Sequence, residues 1–369
     1  MVRVLVVSDI QGLTLAAQKA VRARLGSVAA GAVDWIERTP ATLSAAGQGS
    51  EELAKAEVVL ADPGCVVGLV DRANELRWMQ STWAGVNVLF DKTSRRDYVC
   101  TRIGGVFGPL MAEYVLGYIL QMERRIPLAA QQQRQKKWDP CPFTLGTRPL
   151  SGLTLGLLGC GDIGSGIAKA VKSVGMQTVA FKTDTSKPVG CVDRLSSDLS
   201  DILSSADVIV NTLPSTPVTR GMLNGGALSA CTASISRDGE SDCNGVTNTR
   251  KRAPIFINVG RGDVISEAEI VRALDAGWIS QAVLDVFETE PLPPSSVLWE
   301  HPRICITPHV SAISFPKDVA TIFAENLARY IDVVACDVLG SQDKNGDKMS
   351  SVAKLRKELN YVVTWEKGY

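Results

Sequence analysis

Short apolar runs alternate with longer helix-like stretches along most of the chain. VRVLVV, near the amino terminus, precedes TLAAQKAVRARL, and the same order returns around TLGLLG, TVAF, DVIVNTL, IFINVG, QAVLDV and ICITP. Brief runs rich in Val, Ile and Leu predict buried strands, and the longer stretches predict helices. Because strands alternate with helices, we expect parallel sheets that are covered by helices on both faces. The pattern therefore predicts an α/β fold.

Two stretches depart from this alternation. Met111–Trp138 predicts a long helical run, broken once at Pro127, whose first half is apolar nearly all round. We expect such a helix to be buried between domains or subunits. Thr232–Pro254 is rich in Ser, Asp, Asn, Gly and Thr, and this composition predicts a long polar loop.

Composition and charge narrow the class of protein. The 369 residues are enough for two domains, and Lys plus Arg equal Asp plus Glu at 39 each, so the formal charge is zero. A balanced chain has no electrostatic footprint for nucleic acid or an anionic membrane, and no apolar run approaches the length of a membrane span. The nine cysteines are odd in number and show no C-x-x-C spacing. We therefore expect reduced thiols, no bound metal and a cytoplasmic location.

A glycine-rich turn in mid-chain carries the first chemical signal. GCGDIG, with Gly159, Gly161 and Gly164, follows the predicted strand Thr154–Leu158 and opens a predicted helix that ends near Gly175. The first glycine allows a tight turn, the second lets the backbone approach a pyrophosphate, and the third lets helix and strand pack closely. The amino terminus of the helix then offers free N–H groups to the phosphates. The motif predicts a Rossmann-like domain that binds a dinucleotide.

A base stands where dinucleotide-binding folds usually present an acid. Lys182 lies 23 positions after Gly159, at the end of the next predicted strand, where a carboxylate would hold the ribose hydroxyls. A carboxylate repels a 2′-phosphate whereas an ammonium attracts it, so Lys182, with Thr183 and Lys187, favours NADP over NAD. Lys182 can equally be a solvated lysine, with Asp184 on the same strand face holding the ribose, and NAD then stays possible.

Three predicted strand ends carry further charged residues. Arg261 follows the strand IFI, Asp285 ends the strand before the acidic loop FETEP, and His309 follows ICITP. The carboxyl edge of an open α/β sheet lines its ligand crevice. There a guanidinium can grip a carboxylate, and an imidazole can pass a proton to a carbonyl oxygen. Singly, Arg261 and His309 are better explained as structural residues; together, beside a dinucleotide site, they indicate catalysis.

Several ordered motifs resemble one enzyme family. GCGDIG, NVGRG, LDVFETEPLP and TPH, in this order, resemble the D-2-hydroxyacid dehydrogenases, and the likeness covers most of the chain. STWAGVN, FGPLMAEYVLGYIL, NTLPSTPVTRGML, TPHVSAISFP and EKGY are similar to the glyoxylate/hydroxypyruvate reductase branch of that family. The resemblance implies an enzyme that reduces small 2-oxo acids to D-2-hydroxy acids, with NADP(H) preferred and NAD(H) possible.

The same resemblance implies roles for individual residues. Arg261 would bind the carboxylate and keto oxygen of the substrate, His309 would be the general acid and base, and Glu290 would be the partner of His309. The residues implied for substrate binding are Trp83, Ala84, Gly85 and Arg261. Those implied for cofactor binding are Met111, Gly159, Gly161, Asp162, Ile163, Gly164, Lys182, Thr183, Thr212, Leu213, Pro214, Val259, Gly260, Asp285 and His309.

The resemblance also implies the domain organisation. Residues 1–106 plus 307–369 would form a discontinuous substrate domain, and residues 107–306 would form the dinucleotide-binding Rossmann domain. The active site would lie in the cleft between these two doubly wound, parallel-sheet domains, and the helix that contains Met111 would help build a homodimer. Compared with the family, about 20 residues near 232–254 look inserted. We expect a surface loop there, and a partner site or an unspliced gene segment stays open.

Other functions stay compatible with the sequence. The chain can be an NAD-linked dehydrogenase of a larger D-2-hydroxy acid. From a different class, the same fold can serve as a dinucleotide-sensing, corepressor-like protein that binds peptides. A third alternative is a catalytically inactive relative whose polar insertion disrupts folding.

Overall fold

The computed structural model describes residues 1–41, 52–144, 147–232, 252–338 and 351–366. The chain forms two compact units, one made of Met1–Val106 and Ser314–Tyr369 and the other of Phe107–Ile313. Each unit is built on one sheet, with five strands in the first unit and seven in the second. All pairs of neighbouring strands run parallel. The predicted fold class, two α/β domains with parallel sheets, is confirmed.

The strands coincide with the apolar runs of the sequence. Those of the first unit are β1 (Val2–Val7), β2 (Val33–Arg38), β3 (Val58–Ala61), β4 (Trp78–Ser81) and β5 (Val99–Thr101). Those of the second unit are β6 (Thr154–Leu158), β7 (Gln177–Phe181), β8 (Arg194–Ser196), β9 (Val208–Asn211), β10 (Ile255–Asn258), β11 (Gln281–Leu284) and β12 (Ile304–Ile306). The strand orders are β2-β1-β3-β4-β5 and β12-β11-β10-β9-β6-β7-β8.

The helices connect these strands. In chain order they are α1 (Leu13–Ala30), α2 (Pro63–Val66), α3 (Asn87–Lys92), α4 (Phe107–Glu123), α5 (Ile126–Arg134), α6 (Cys141–Thr144), α7 (Asp162–Ser173), α8 (Leu199–Ser205), α9 (Glu267–Asp275), α10 (Pro316–Val338) and α11 (Ser351–Glu358). The helical run predicted at Met111–Trp138 breaks at Arg125, which has a left-handed φ of 51°, and Pro127 sits in the first turn of α5. Within the described ranges, no helix combines the length and the apolar character that a membrane crossing needs.

The strand β10 shows how the second sheet is buried on both faces. Ile255 and Ile257 pack into one cluster of buried side chains, which includes Val115 of α4 and Val171 of α7. Phe256, between them in sequence, packs into the cluster on the opposite face with Ile270 of α9. Successive strand residues point to opposite faces, so a strand buried on both sides must be apolar at every position.

The first unit needs the late part of the chain for its core. Trp78 of β4 is fully buried, and its ring stacks against Phe323 and Tyr330 of α10, with centroid distances of 5.2 and 5.6 Å. The indole N–H of Trp78 donates to Thr101 Oγ1 at 2.8 Å, so the buried ring leaves no polar atom unsatisfied. Strands from the start of the chain and a helix from its end therefore share one core.

The chain returns from the second unit to the first at a later residue than the sequence predicts. The expected substrate domain resumes at Thr307, whereas in the structure residues 307–313 belong to the second unit. These residues are tied to the end of β11, because the N–H groups of Val310 and Ser311 donate to the Asp285 carboxylate at 2.8 and 2.9 Å. The polar insertion predicted near 232–254 falls mostly outside the described residues, which resume at Arg252 shortly before β10.

We expect Trp78→Ala to destabilise the protein by about 3–5 kcal/mol, because it removes a fully buried aromatic side chain from between two helix residues. Trp138 is 96% exposed, and Trp138→Ala is the matched control, with an expected cost below about 0.5 kcal/mol. Urea unfolding followed by circular dichroism measures both. Equal midpoints for the two variants would show that the stacked core does not depend on Trp78.

Candidate active site

The glycine-rich turn between β6 and α7 has the shape that phosphate binding requires. Gly159 has a φ of 92°, a backbone conformation that residues with a side chain rarely adopt. The helix α7 begins at Asp162, directly after Gly161. A Cβ on Gly164 would stand 2.5 Å from the carbonyl oxygen of Gly159, so only glycine lets the helix come this close to the strand. The free N–H groups of the α7 terminus therefore border a cradle that fits a dinucleotide pyrophosphate.

Two neighbouring loops pack against this turn. Thr212 Oγ1 donates to the Gly159 carbonyl oxygen at 2.9 Å, and a Cβ on Gly159 would stand 3.2 Å from the Leu213 side chain. A Cβ on Gly260 would meet the main-chain nitrogen and oxygen of Leu213 at 2.9 and 2.8 Å. The structure thus brings together the predicted cofactor residues of three separate loops, with Pro214 and Val259 next to them in sequence.

Lys182 directly follows β7 and lies near the glycine-rich turn. Burial raises the pKa of the Cys160 thiol in that turn, and the positive charge of Lys182 acts in the opposite direction. Asp184, the other predicted candidate, accepts a hydrogen bond from the Ser186 N–H at 3.0 Å. Hydrogen bonds from the Ser186 hydroxyl and N–H, aided by the charge of Lys182, lower the pKa of Asp184. The carboxylate of Asp184 is thus engaged in its own turn, and Lys182 Nζ donates to the main-chain oxygen of Lys187 at 3.4 Å.

A buried pair of amides holds the loop that carries Arg261. Asn211 ends β9 and Asn258 ends β10, and Asn211 Nδ2 donates to Asn258 Oδ1 at 2.8 Å. Asn258 in turn donates to the main-chain oxygen of Arg261 at 3.1 Å and accepts from the Gly260 N–H at 3.2 Å. Sequence reasoning did not identify these two residues. Their signal was an asparagine at the last position of two neighbouring apolar strands.

Close backbone packing sets the position of Arg261 relative to the acidic loop. A Cβ on Gly262 would fall 1.9 Å from the carbonyl carbon of Phe287, so the two loops touch through their main chains. Burial lowers the pKa of the Arg261 guanidinium, and the carboxylates of Glu290 and Asp263 oppose that effect. A half-buried cation therefore lies close enough to Glu290 for their charges to interact.

His309 and Glu290 form a hydrogen-bonded pair in the site. His309 Nδ1 lies 2.7 Å from Glu290 Oε2, and Glu290 Oε1 accepts from the Phe287 N–H at 2.9 Å. Burial favours the neutral acid, but the hydrogen bonds from His309 and Phe287 and the charges of His309 and Arg261 outweigh it, so the pKa of Glu290 is lowered. A carboxylate only accepts hydrogen bonds, so Nδ1 carries a proton and Nε2 is the ring nitrogen that can exchange one.

Asp285 lies beneath this pair at the end of β11. It is fully buried, and its main-chain oxygen accepts from the His309 N–H at 2.9 Å. The side chain accepts from residues that follow β12, so the strand ends that carry Asp285 and His309 are joined. Within the second unit, the structure therefore brings Arg261, Asp285, Glu290 and His309 to one edge of the sheet.

The remaining predicted residues lie on other elements. In the second unit, Met111 lies one turn after Gly108 on α4, where a Cβ on Gly166 of α7 would come within 2.8 Å of the Gly108 Cα. In the first unit, Trp83, Ala84 and Gly85 follow β4, and Trp83 is 43% exposed. Ser81 Oγ accepts from the Trp83 N–H at 2.9 Å and donates to its carbonyl oxygen at 3.0 Å, which fixes the start of this loop.

A parallel-sheet unit with a glycine-rich phosphate cradle and an Arg–Glu–His group at one sheet edge is the arrangement of a dinucleotide-dependent oxidoreductase. Residues 116–311 match the family model described as D-isomer specific 2-hydroxyacid dehydrogenase, NAD binding domain. A D-isomer specific 2-hydroxyacid dehydrogenase family protein from Aeromonas salmonicida is 32% identical, with 99% of each chain covered and a TM-score of 0.75. The chain belongs to the D-isomer specific 2-hydroxyacid dehydrogenase family and is an oxidoreductase.

Two further solved structures are similar over nearly the whole chain. One is an NADPH-dependent glyoxylate/hydroxypyruvate reductase from Sinorhizobium meliloti, solved with NADP and sulfate, at 24% identity, 100% coverage of both chains and a TM-score of 0.72. The other is a D-isomer specific 2-hydroxyacid dehydrogenase from Xanthobacter autotrophicus, solved with NADPH and MES, at 25% identity, 99% coverage of both chains and a TM-score of 0.70. The family predicted from the sequence is confirmed.

The lowered pKa of Glu290 makes part of the stability dependent on pH. The stabilisation is present above the ordinary glutamate pKa of about 4.3 and is lost as the pH falls through the lower value of the folded protein. Glu290→Gln keeps the shape of the side chain but has no charge. We expect its melting temperature to lie below that of the parent at neutral pH and to approach it in acid.

Thermal unfolding of both proteins between about pH 3 and pH 7 tests this expectation. Glu288 is exposed, and Glu288→Gln is the matched control. A gap in melting temperature that stays constant with pH would contradict a depressed pKa at Glu290.

Proposed function

We propose that this chain reduces small 2-oxo acids, glyoxylate and hydroxypyruvate, to D-2-hydroxy acids and prefers NADPH as the reductant. The observation that carries the proposal is the His309–Glu290 pair beside the half-buried Arg261. This group combines a proton donor, a carboxylate that orients the donor, and a cation that can bind the carboxylate of a substrate.

Each residue of this group has a chemical task. Arg261 binds the carboxylate and keto oxygen of the substrate and polarises the carbonyl. The nicotinamide, when bound, supplies the hydride that is transferred to C2. His309 donates its Nε2 proton to the carbonyl oxygen, and Glu290 stabilises the protonated imidazole through Nδ1. In the oxidation of a 2-hydroxy acid, the same Nε2 accepts the proton.

The cofactor has a matching set of residues. The α7 terminus and the turn Gly159–Gly164 would hold the pyrophosphate, and Thr212, Leu213, Pro214, Val259 and Gly260 would border it. Lys182, with Thr183, would receive the 2′-phosphate of NADPH, and Asp285 would meet the nicotinamide amide. The preference for NADPH is supported by the position of Lys182 near the glycine-rich turn and by the engagement of Asp184 with Ser186.

The proposed substrates and the proposed homodimer are each supported by one observation. The reductase similar to this chain acts on glyoxylate and hydroxypyruvate, and Trp83, Ala84 and Gly85 keep their predicted role in binding the substrate. A homodimer is supported by α4, on which Leu110, Leu116 and Leu120 stay half-exposed, and the cytoplasmic location stays a prediction. A monomeric mass in light scattering would contradict the dimer.

The absorbance of NADPH and NADH at 340 nm, followed separately with glyoxylate and hydroxypyruvate, tests the proposed reaction. We expect turnover with both acids and faster turnover with NADPH. Arg261→Lys should lower kcat/KM for glyoxylate by about ten- to hundred-fold, because one charge-assisted hydrogen bond is lost. Arg272→Lys, on an exposed arginine that pairs with Glu269, is the matched control. Undiminished efficiency in Arg261→Lys would rule out the grip on the substrate.

Lys182→Asp tests how the cofactor is chosen. Replacing the ammonium by a carboxylate exchanges attraction to the 2′-phosphate for repulsion, so the NADPH-to-NADH ratio of kcat/KM should fall by about 10²-fold. Lys169→Asp, on an exposed lysine of α7, controls for the change in net charge. An unchanged ratio would mean that Lys182 is a solvated residue.

A further inference from the structure

The loop that carries His309 is held by three hydrogen bonds that its residues donate to the Asp285 carboxylate. Asp285 Oδ1 accepts from the Thr307 hydroxyl at 2.5 Å and from the Val310 N–H at 2.8 Å, and Oδ2 accepts from the Ser311 N–H at 2.9 Å. Asp285 is fully buried, so these donors are what compensates its loss of water. The carboxylate therefore holds the segment on both sides of His309.

His309 needs these hydrogen bonds because its backbone is strained. It has a φ of 55°, in the left-handed region that residues with a Cβ rarely adopt. Its N–H donates to the main-chain oxygens of Asp285 and Thr307 at 2.9 and 3.1 Å. If the loop relaxed, the imidazole would turn away from Glu290, whose carboxylate comes from a different loop.

A second hydroxyl extends the chain of hydrogen bonds to α4. Tyr114 Oη lies 2.6 Å from Thr307 Oγ1. The single hydroxyl proton of Thr307 is donated to Asp285, so Thr307 must accept from Tyr114. Burial, together with the charge of Asp285, raises the pKa of Tyr114, and the hydrogen bond with Thr307 only partly opposes this. The phenol therefore stays a neutral donor.

We propose that Tyr114 and Thr307 are positioning residues that hold His309 in its strained conformation through Asp285. Thr307 supplies one donor to the carboxylate, and Tyr114 orients the Thr307 hydroxyl so that its proton points to Asp285. This inference rests on the proposed function for its effect on turnover, but not for its effect on the geometry of His309.

The chain offers a matched control on the same helix. Tyr118 lies one turn after Tyr114, and its ring packs against the Tyr114 ring with a centroid distance of 4.8 Å. Its hydroxyl accepts a weak hydrogen bond from the Cys305 thiol at 3.6 Å, and burial is the main cause that raises its pKa to about 12. A hydrogen bond with Tyr114 lowers the pKa of Tyr118 and only partly opposes the effect of burial. Tyr118→Phe thus removes a hydroxyl that interacts with Tyr114 but does not donate to Thr307.

The experiment compares Thr307→Val, Thr307→Ser, Tyr114→Phe and Tyr118→Phe by steady-state kinetics. Thr307→Val removes the donor, and we expect kcat to fall by about ten- to hundred-fold. The KM for NADPH and the KM for glyoxylate should each change by less than about two-fold. Tyr114→Phe should lower kcat by a smaller factor. Thr307→Ser, which keeps the hydroxyl, and Tyr118→Phe should retain parental kcat.

A second readout needs no turnover. The chain has two histidines, His301 and His309, so the imidazole Cε1–H signals of protein labelled with carbon-13 histidine are simple to assign. Thr307→Val and Tyr114→Phe should shift the His309 signal and leave that of His301 in place. Thr307→Ser and Tyr118→Phe should shift neither.

The two readouts separate this inference from the proposed function. If the parent protein turns over no 2-oxo acid, the proposed function fails, and the His309 signal still decides the role of Thr307 and Tyr114. If Thr307→Val does not fold, Tyr114→Phe carries the test because it removes one oxygen atom. An unchanged His309 signal in Tyr114→Phe, or an equal shift in Tyr118→Phe, overturns the proposal.

Discussion

A buried carboxylate at the end of β11 is the constraint on which the candidate site depends. Asp285 has no access to water, and an ion in that position is tolerated only while donors surround it. Among the residues that the structure describes, its side-chain donors belong to the segment after β12, namely Thr307, Val310 and Ser311. The ends of two neighbouring strands are thereby tied together, and the segment after β12 cannot shift without leaving the buried Asp285 carboxylate short of hydrogen-bond donors.

Glycines supply the second constraint, because the site is assembled from main chains in contact. Gly164 lets α7 approach β6, Gly260 lets its loop meet Leu213, and Gly262 lets the same loop meet Phe287. Each of these contacts excludes even a methyl group. These close backbone contacts, together with the side-chain hydrogen bonds of Asp285 and of the two asparagines, position the phosphate cradle and the charged group.

Much of this arrangement was visible in the sequence. Strands such as IFIN of β10 are short apolar runs, and burial on both faces requires that pattern. The turn at Gly159 and the charged residues Arg261, Glu290 and His309 stand directly after such runs or in the loops that follow them. Local spacing was enough to single out the glycine-rich turn, Arg261 and His309. Glu290 was selected from the acidic loop only by the resemblance to the family, and all these roles stay predictions.

Other features depend on contacts that spacing does not encode. Tyr114 and Thr307 are 193 positions apart in the sequence, and no local pattern near either residue predicts their contact. Asn211 and Asn258 look like ordinary strand ends until the pairing of β9 with β10 brings their amides together. The second crossing between the units was placed too early for the same reason, since the bonds to Asp285 that retain residues 307–313 are long-range.

The order of the units along the chain has a consequence for synthesis. Strands β1–β5 leave the ribosome first, yet Trp78 meets Phe323 and Tyr330 only after the whole second unit has been made. The second unit, Phe107–Ile313, is one contiguous segment, so no strand of this unit has to wait for a later part of the chain. Translating its roughly 200 residues takes about 10–40 s at 5–20 residues per second. During that interval Trp78 lacks the α10 side chains that cover it in the folded protein, so the core of the first unit can be completed only after the second unit has been made.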